Sequence, residues 1–140
     1  MALNYNIDVF RNKKPGNHLL ASYSNLIAIE LTLISILTNE GLPVKPSHNV
    51  PGMFSRLQHI QRLKSKVSVI NSLHSQLSNC LTSLWTQGKD GNPAVVPANS
   101  YPNMRYFRHQ DDWECNSSPA SRLSDLYRVT NRVFGFIDKI

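Results

Sequence analysis

The chain has 140 residues, 41% of them hydrophobic and 17% charged. That is enough apolar content to bury one core without staples, and too little charge for a disordered chain. Its net charge of +6 and pI near 9.6 favour acidic partners such as nucleic acid or anionic lipid and dictate no fold, while two cysteines, Cys80 and Cys115, are too few for a disulfide-built secreted domain.

The opening residues, Met1-Ala2-Leu3-Asn4-Tyr5-Asn6, lack a basic segment leading into an apolar one, so no signal peptide is expected. The expectation is a cytoplasmic protein with both thiols reduced, a bridge between them being the open alternative. Residues 19–38, LLASYSNLIAIELTLISILT, have the length of a membrane span, about 20 residues. Glu30 near the centre, with Asn25 and several Ser and Thr around it, would cost several kcal/mol in a bilayer. A buried helix is the expected reading, with no membrane insertion. It begins near Asn17 or His18 after Pro15-Gly16 and ends near Asn39, before Gly41 and Pro43.

A proline-rich loop from Leu42 to Pro51 follows. Then Met53, Leu57, Ile60, Leu63, Val67, Ile70, Leu73, Leu77, Leu81 and Leu84 step by three or four, the helical signature. On one straight helix this stripe drifts around the axis, so the helix must bend or break. The expected break is Lys64-Ser65-Lys66, followed by a longer helix to about Gln87. Gly88 to Pro93 ends it. From there to Ser117 runs a long irregular segment containing Tyr101, Tyr106, Phe107 and Trp113, too aromatic for a plain linker. The last helix opens at Ser118-Pro119, with Leu123, Leu126, Tyr127, Val133, Phe134, Ile137 and Ile140 on one face. The expected architecture is a single all-α domain over residues 1–140, a compact bundle of four to five helices with the irregular segment before the last.

Two features carry possible chemistry. Residues 41–89 contain no Asp or Glu, yet include Lys45, Arg56, Arg62, Lys64, Lys66 and Lys89. On a continuous helix Arg56, His59, Arg62 and Lys66 would form one stripe, with Lys64 nearby, able to track phosphates by releasing their counterions. The plain alternative is a solvated face. The second feature is Arg105-Tyr106-Phe107-Arg108-His109-Gln110-Asp111-Asp112, where a histidine near arginines and carboxylates suits acid–base work at neutral pH. The spacing of His109, Asp111, Asp112 and Cys115 matches no metal pattern, and no phosphate loop or nucleophile elbow occurs. No metal or other cofactor is expected.

The order of elements resembles the HEPN superfamily (higher eukaryotes and prokaryotes nucleotide-binding domains). The resemblance lies in the long apolar first helix, in the run from Ser47 to Leu57 with its His48-Asn49-Val50-Pro51 lead-in, and in Arg105-Tyr106 before the closing helix. It implies a helical bundle, often dimeric, that cleaves or binds RNA in toxin, CRISPR or antiviral systems. Active members use Arg, four to six residues, then His near the last helix. Here Arg105 and His109 have three residues between them, and Tyr106 replaces the usual polar residue. Arg11 and His18 match the spacing with Asn12 in the polar position, but precede the first helix. The resemblance therefore implies either a metal-independent ribonuclease or an inactive RNA-binding relative. The alternative is a non-enzymatic helical adaptor that docks a protein partner or a second copy.

Overall fold

A computed structural model describes residues 16–45, 47–87, 93–95, 101–102, 113–115 and 119–140. Helix α1 (Gly16–Asn39) ends where the sequence predicts. Leu42 N–H donates to Leu37 O at 2.9 Å and Gly41 N–H to Thr38 O at 3.1 Å, the paired bonds of a Schellman stop. Gly41, at φ 74°, takes the left-handed conformation this stop requires and a Cβ disfavours.

The apolar series then runs through four short pieces rather than a helix with a single break. Helix α2 (Val50–Ser55) is followed by a 3₁₀ turn at Arg56–His59, extended Ile60 at ψ 123°, a second 3₁₀ turn at Gln61–Lys66, and helix α3 (Val67–Thr82). Leu57 lies in the first turn and Leu63 in the second, and the extended Ile60 between them re-aims the chain. All three side chains end up in the core, where a straight α-helix would rotate them away. Every member of the series is buried except Val67, which is half-buried.

The expectation of helix as far as Gln87 is corrected. Leu84–Gln87 is β1, the centre of a small antiparallel sheet flanked by β2 (Pro93–Val95) and β3 (Trp113–Cys115). Trp85 pairs with Val95 on one side and Glu114 on the other. Pairing on both edges satisfies this backbone as fully as a helix would, and Trp and Thr prefer the pleated surface. The irregular segment thus supplies two strands, while the bulk of the fold is helical as expected.

Helix α4 (Pro119–Asp138) packs most extensively on α1 and next on α3. Leu26, Ile29, Leu33 and Leu37 of α1 meet Leu123, Leu126, Val133 and Ile137 of α4 in one continuous apolar cluster, all of them 2% exposed or less. Asn25 on α1 donates to Thr130 Oγ1 at 3.0 Å and to Asn131 Oδ1 at 2.9 Å, pinning the helix pair. Cys80 lies buried on α3. By length and composition α1 could cross a membrane, and in this fold its Leu26–Leu37 face is covered by protein.

Among the described residues, the Ser22 hydroxyl is buried without a hydrogen-bond partner. An unsatisfied buried hydroxyl costs about 1–3 kcal/mol. Ser22→Ala is therefore expected to stabilise the fold by about 1 kcal/mol, read as a higher urea midpoint with unchanged slope. A lower midpoint contradicts this account of Ser22.

Candidate functional site

Glu30 is a carboxylate inside an apolar helix, only 9% exposed. Such a group persists where both oxygens are paired. His48 Nδ1 donates to Oε1 at 2.8 Å, and the Tyr101 hydroxyl donates to Oε2. Tyr101 is itself 3% exposed, with its ring 6.2 Å from Tyr23 and 5.9 Å from His48, the latter edge-on. Burial first, and then the Glu30 carboxylate, push the Tyr101 hydroxyl well above the usual tyrosine range. His48 sits at φ 54°, an uncommon conformation for a residue with a side chain. Its ring bond to Glu30 ties the chain just before α2 to α1.

The 42–49 loop forms one wall of a cleft whose other wall is α2. Arg56 Nη1 donates across it to Pro43 O. Asn49 caps α2, its Oδ1 accepting from Gly52 N–H at 3.1 Å, while Ser47 Oγ accepts from Asn49 N–H at 3.3 Å. The cleft is open to solvent and holds about 430 Å³, a volume within the range of small-ligand sites. Lys45 and Arg56 give it positive charge, Ser47 and Asn49 give it hydrogen-bonding groups, and Pro43 and Met53 give it an apolar patch. Among the described residues, no carboxylate lines it.

The predicted stripe is corrected by the break at Ile60: no continuous helix carries Arg56, His59, Arg62, Lys64 and Lys66. Arg56 faces the cleft. Arg62 is occupied, with Nε donating to Glu40 Oε1 at 2.9 Å and Nη1 to Ile140 O at 3.2 Å. Lys66 Nζ lies 5.8 Å from the centre of the Phe136 ring, a cation–π distance. His59 and Lys64 are exposed. Among the described lysines and arginines of residues 41–89, only Arg62 pairs with a carboxylate.

His18 is half-buried, its ring 5.3 Å from that of Tyr127. Its suggested partner Arg11, and the pair Arg105 and His109, lie outside the described residues. Sequence reasoning passed over Lys45 as a site residue, and over His48 and Glu30 as a pair, because Glu30 stands 18 positions from His48 and 71 from Tyr101. The one available signal was a carboxylate placed in an apolar helix, which demands partners. Among the described residues no three His, Cys, Asp or Glu side chains gather as a metal site would require. Comparison with family models, curated proteins and solved structures gives no match to this chain.

Proposed function

We propose that this protein is a HEPN-like, RNA-associated helical domain of the cytoplasm, which holds RNA by its phosphates along the surface running from Lys45 and Arg56 to His59 and Lys64. The observation that carries this is the uncompensated charge: Lys45, Arg56, Lys64 and Lys66 have no carboxylate partner among the described residues. Charge left unpaired on a fold costs stability through self-repulsion, and a polyanion offsets that cost. In this reading α1 is the core helix and not a membrane anchor. Strand scission rests on the resemblance and on Arg105 and His109, and the binding reading stands without it.

The test is anisotropy of a fluorescent single-stranded RNA across a salt series. Affinity is expected to fall steeply with salt. In Lys45→Ala and Lys64→Ala the slope of log K against log salt should shrink by roughly 0.7 for each phosphate that is no longer neutralised. A slope near zero in the wild type ends this proposal.

One observation favours the adaptor reading instead. Leu31 is 62% exposed on α1, with the partly buried Ile27 and Ile34 four residues before and three after on the same face. A protein partner would cover this patch, a second copy of the chain being the first to test. Sedimentation velocity is then expected to show concentration-dependent association that Leu31→Glu abolishes. A monomer at every concentration removes the second-copy form of this reading.

A further inference from the structure

We infer that the cleft between the 42–49 loop and α2 is a subsite for one nucleotide of a single strand, with the phosphate on Lys45 and Arg56 and the base against Pro43 and Met53. This rests on the RNA reading above and assigns its point of sequence-independent capture. Three properties of the cleft lead to it.

The first is chemical division within one space. The cations Lys45 and Arg56 and the apolar Pro43 and Met53 line the same cavity of about 430 Å³. A phosphate ion uses only the first pair, and an apolar ligand only the second. A nucleotide presents an anion and a flat, weakly hydrated ring joined by a sugar, and it uses both. Pro43 is the exposed apolar wall, and Met53, 5% exposed, closes the floor behind it.

The second is that the cations are available. Arg56 donates one nitrogen to Pro43 O, a neutral acceptor that leaves the guanidinium charge uncancelled and fixes its position. Lys45 is exposed and makes no ion pair with any described residue. Arg62, by contrast, is already engaged by Glu40 at 2.9 Å.

The third is rigidity. The loop wall is tied to α1 by His48 and Glu30 at 2.8 Å, to α2 by the Asn49 cap, and to the 3₁₀ turn after α2 by Arg56. Gly52 keeps the cap in place, since a Cβ there would lie 2.7 Å from Asn49 Nδ2. A wall already held in position loses little freedom on binding. A duplex keeps its bases paired and stacked inside, so only a single strand can turn one into such a cleft.

The test uses the full chain and three probes: a fluorescent eight-nucleotide single-stranded RNA, a duplex of the same sequence, and AMP or inorganic phosphate as competitor. The deciding variant is Ser47→Tyr, which fills the cleft from an exposed lining position and leaves every charge in place. Lys45→Ala is the second variant. Circular dichroism of both establishes that the helices are retained. Ser47→Tyr is expected to weaken single-strand binding at least tenfold, and Lys45→Ala to weaken it as well. Wild-type protein should prefer the single strand, and AMP should compete at concentrations where inorganic phosphate does not. Unchanged single-strand binding in Ser47→Tyr overturns the subsite and leaves the RNA reading standing on the outer cations. Equal competition by phosphate and AMP overturns the base contact. No RNA binding by the wild type overturns both readings together.

Discussion

Replacing His48 with alanine and Tyr101 with phenylalanine together is expected to destabilise the fold by about 3–5 kcal/mol, because it leaves the Glu30 carboxylate buried with neither partner. Each single change removes one bond and costs less, about 1–3 kcal/mol. His48→Ala should be the milder, since its half-exposed side chain (56%) gives water access to the vacated oxygen. Removing the charge along with its partner reverses the outcome. Glu30→Met combined with Tyr101→Phe should be neutral or stabilising, as when buried ion pairs give way to apolar groups of similar volume. Urea unfolding at neutral pH separates the variants. If the double variant that keeps Glu30 is as stable as the wild type, the cluster does not hold the loop. Alkali gives a second readout. The folded hydroxyl of Tyr101 is raised above its ordinary value near 10 by burial and by Glu30. The folded state therefore binds this proton more tightly, and its contribution is complete below pH 10 and lost as pH rises beyond it. Tyr101→Phe should flatten that alkaline loss.

Phe54→Ala is expected to cost about 3–5 kcal/mol, the range for emptying a large buried aromatic site. Phe54 has no exposed surface, and its ring meets Phe136 of α4 edge-on at 5.8 Å. Helix α2 has six residues, far too few to persist alone, so its position depends on this anchor together with Val50 and Met53. Against a typical total of about 5–15 kcal/mol, the loss should lower the thermal midpoint sharply. Because α2 carries Met53 and leads directly into Arg56, RNA affinity should fall as well. Phe54→Leu keeps most of the volume and should retain both fold and binding. Equal losses in the two variants contradict an anchoring role for the ring.

The helices were legible in the sequence wherever a periodic apolar face met a stop signal. Gly41 after α1 and Pro119 at the start of α4 fall where local chemistry places them. The interior of the second helical region was harder. Steps of three fit an α-helix face and a 3₁₀ turn equally well, and only packing against the core decides between them. Leu84–Gln87 continued the apolar series but became a strand, since its partners at 93–95 and 113–115 are remote in sequence. The cleft was half legible: the carboxylate-free run announced its charge, while its shape depends on Arg56 reaching back 13 residues to Pro43. The cluster at Glu30 was announced only by the carboxylate in an apolar helix, while its partners His48 and Tyr101 stand 18 and 71 positions away.

The pairing of α1 with α4 also fixes the order in which this chain can acquire its structure. The bonds from Asn25 to Thr130 and Asn131 span 105 and 106 positions, so the main helix–helix contact closes one of the longest loops the chain has. Closing such a loop costs entropy before any contact rewards it, and contacts this remote slow folding. On the ribosome, α1 is made well before α4 and stays only partly covered until residues 123–137 have followed. The nascent chain is thus most exposed to aggregation and to chaperone capture during that interval, and a stop codon placed before α4 would leave α1 without its cover.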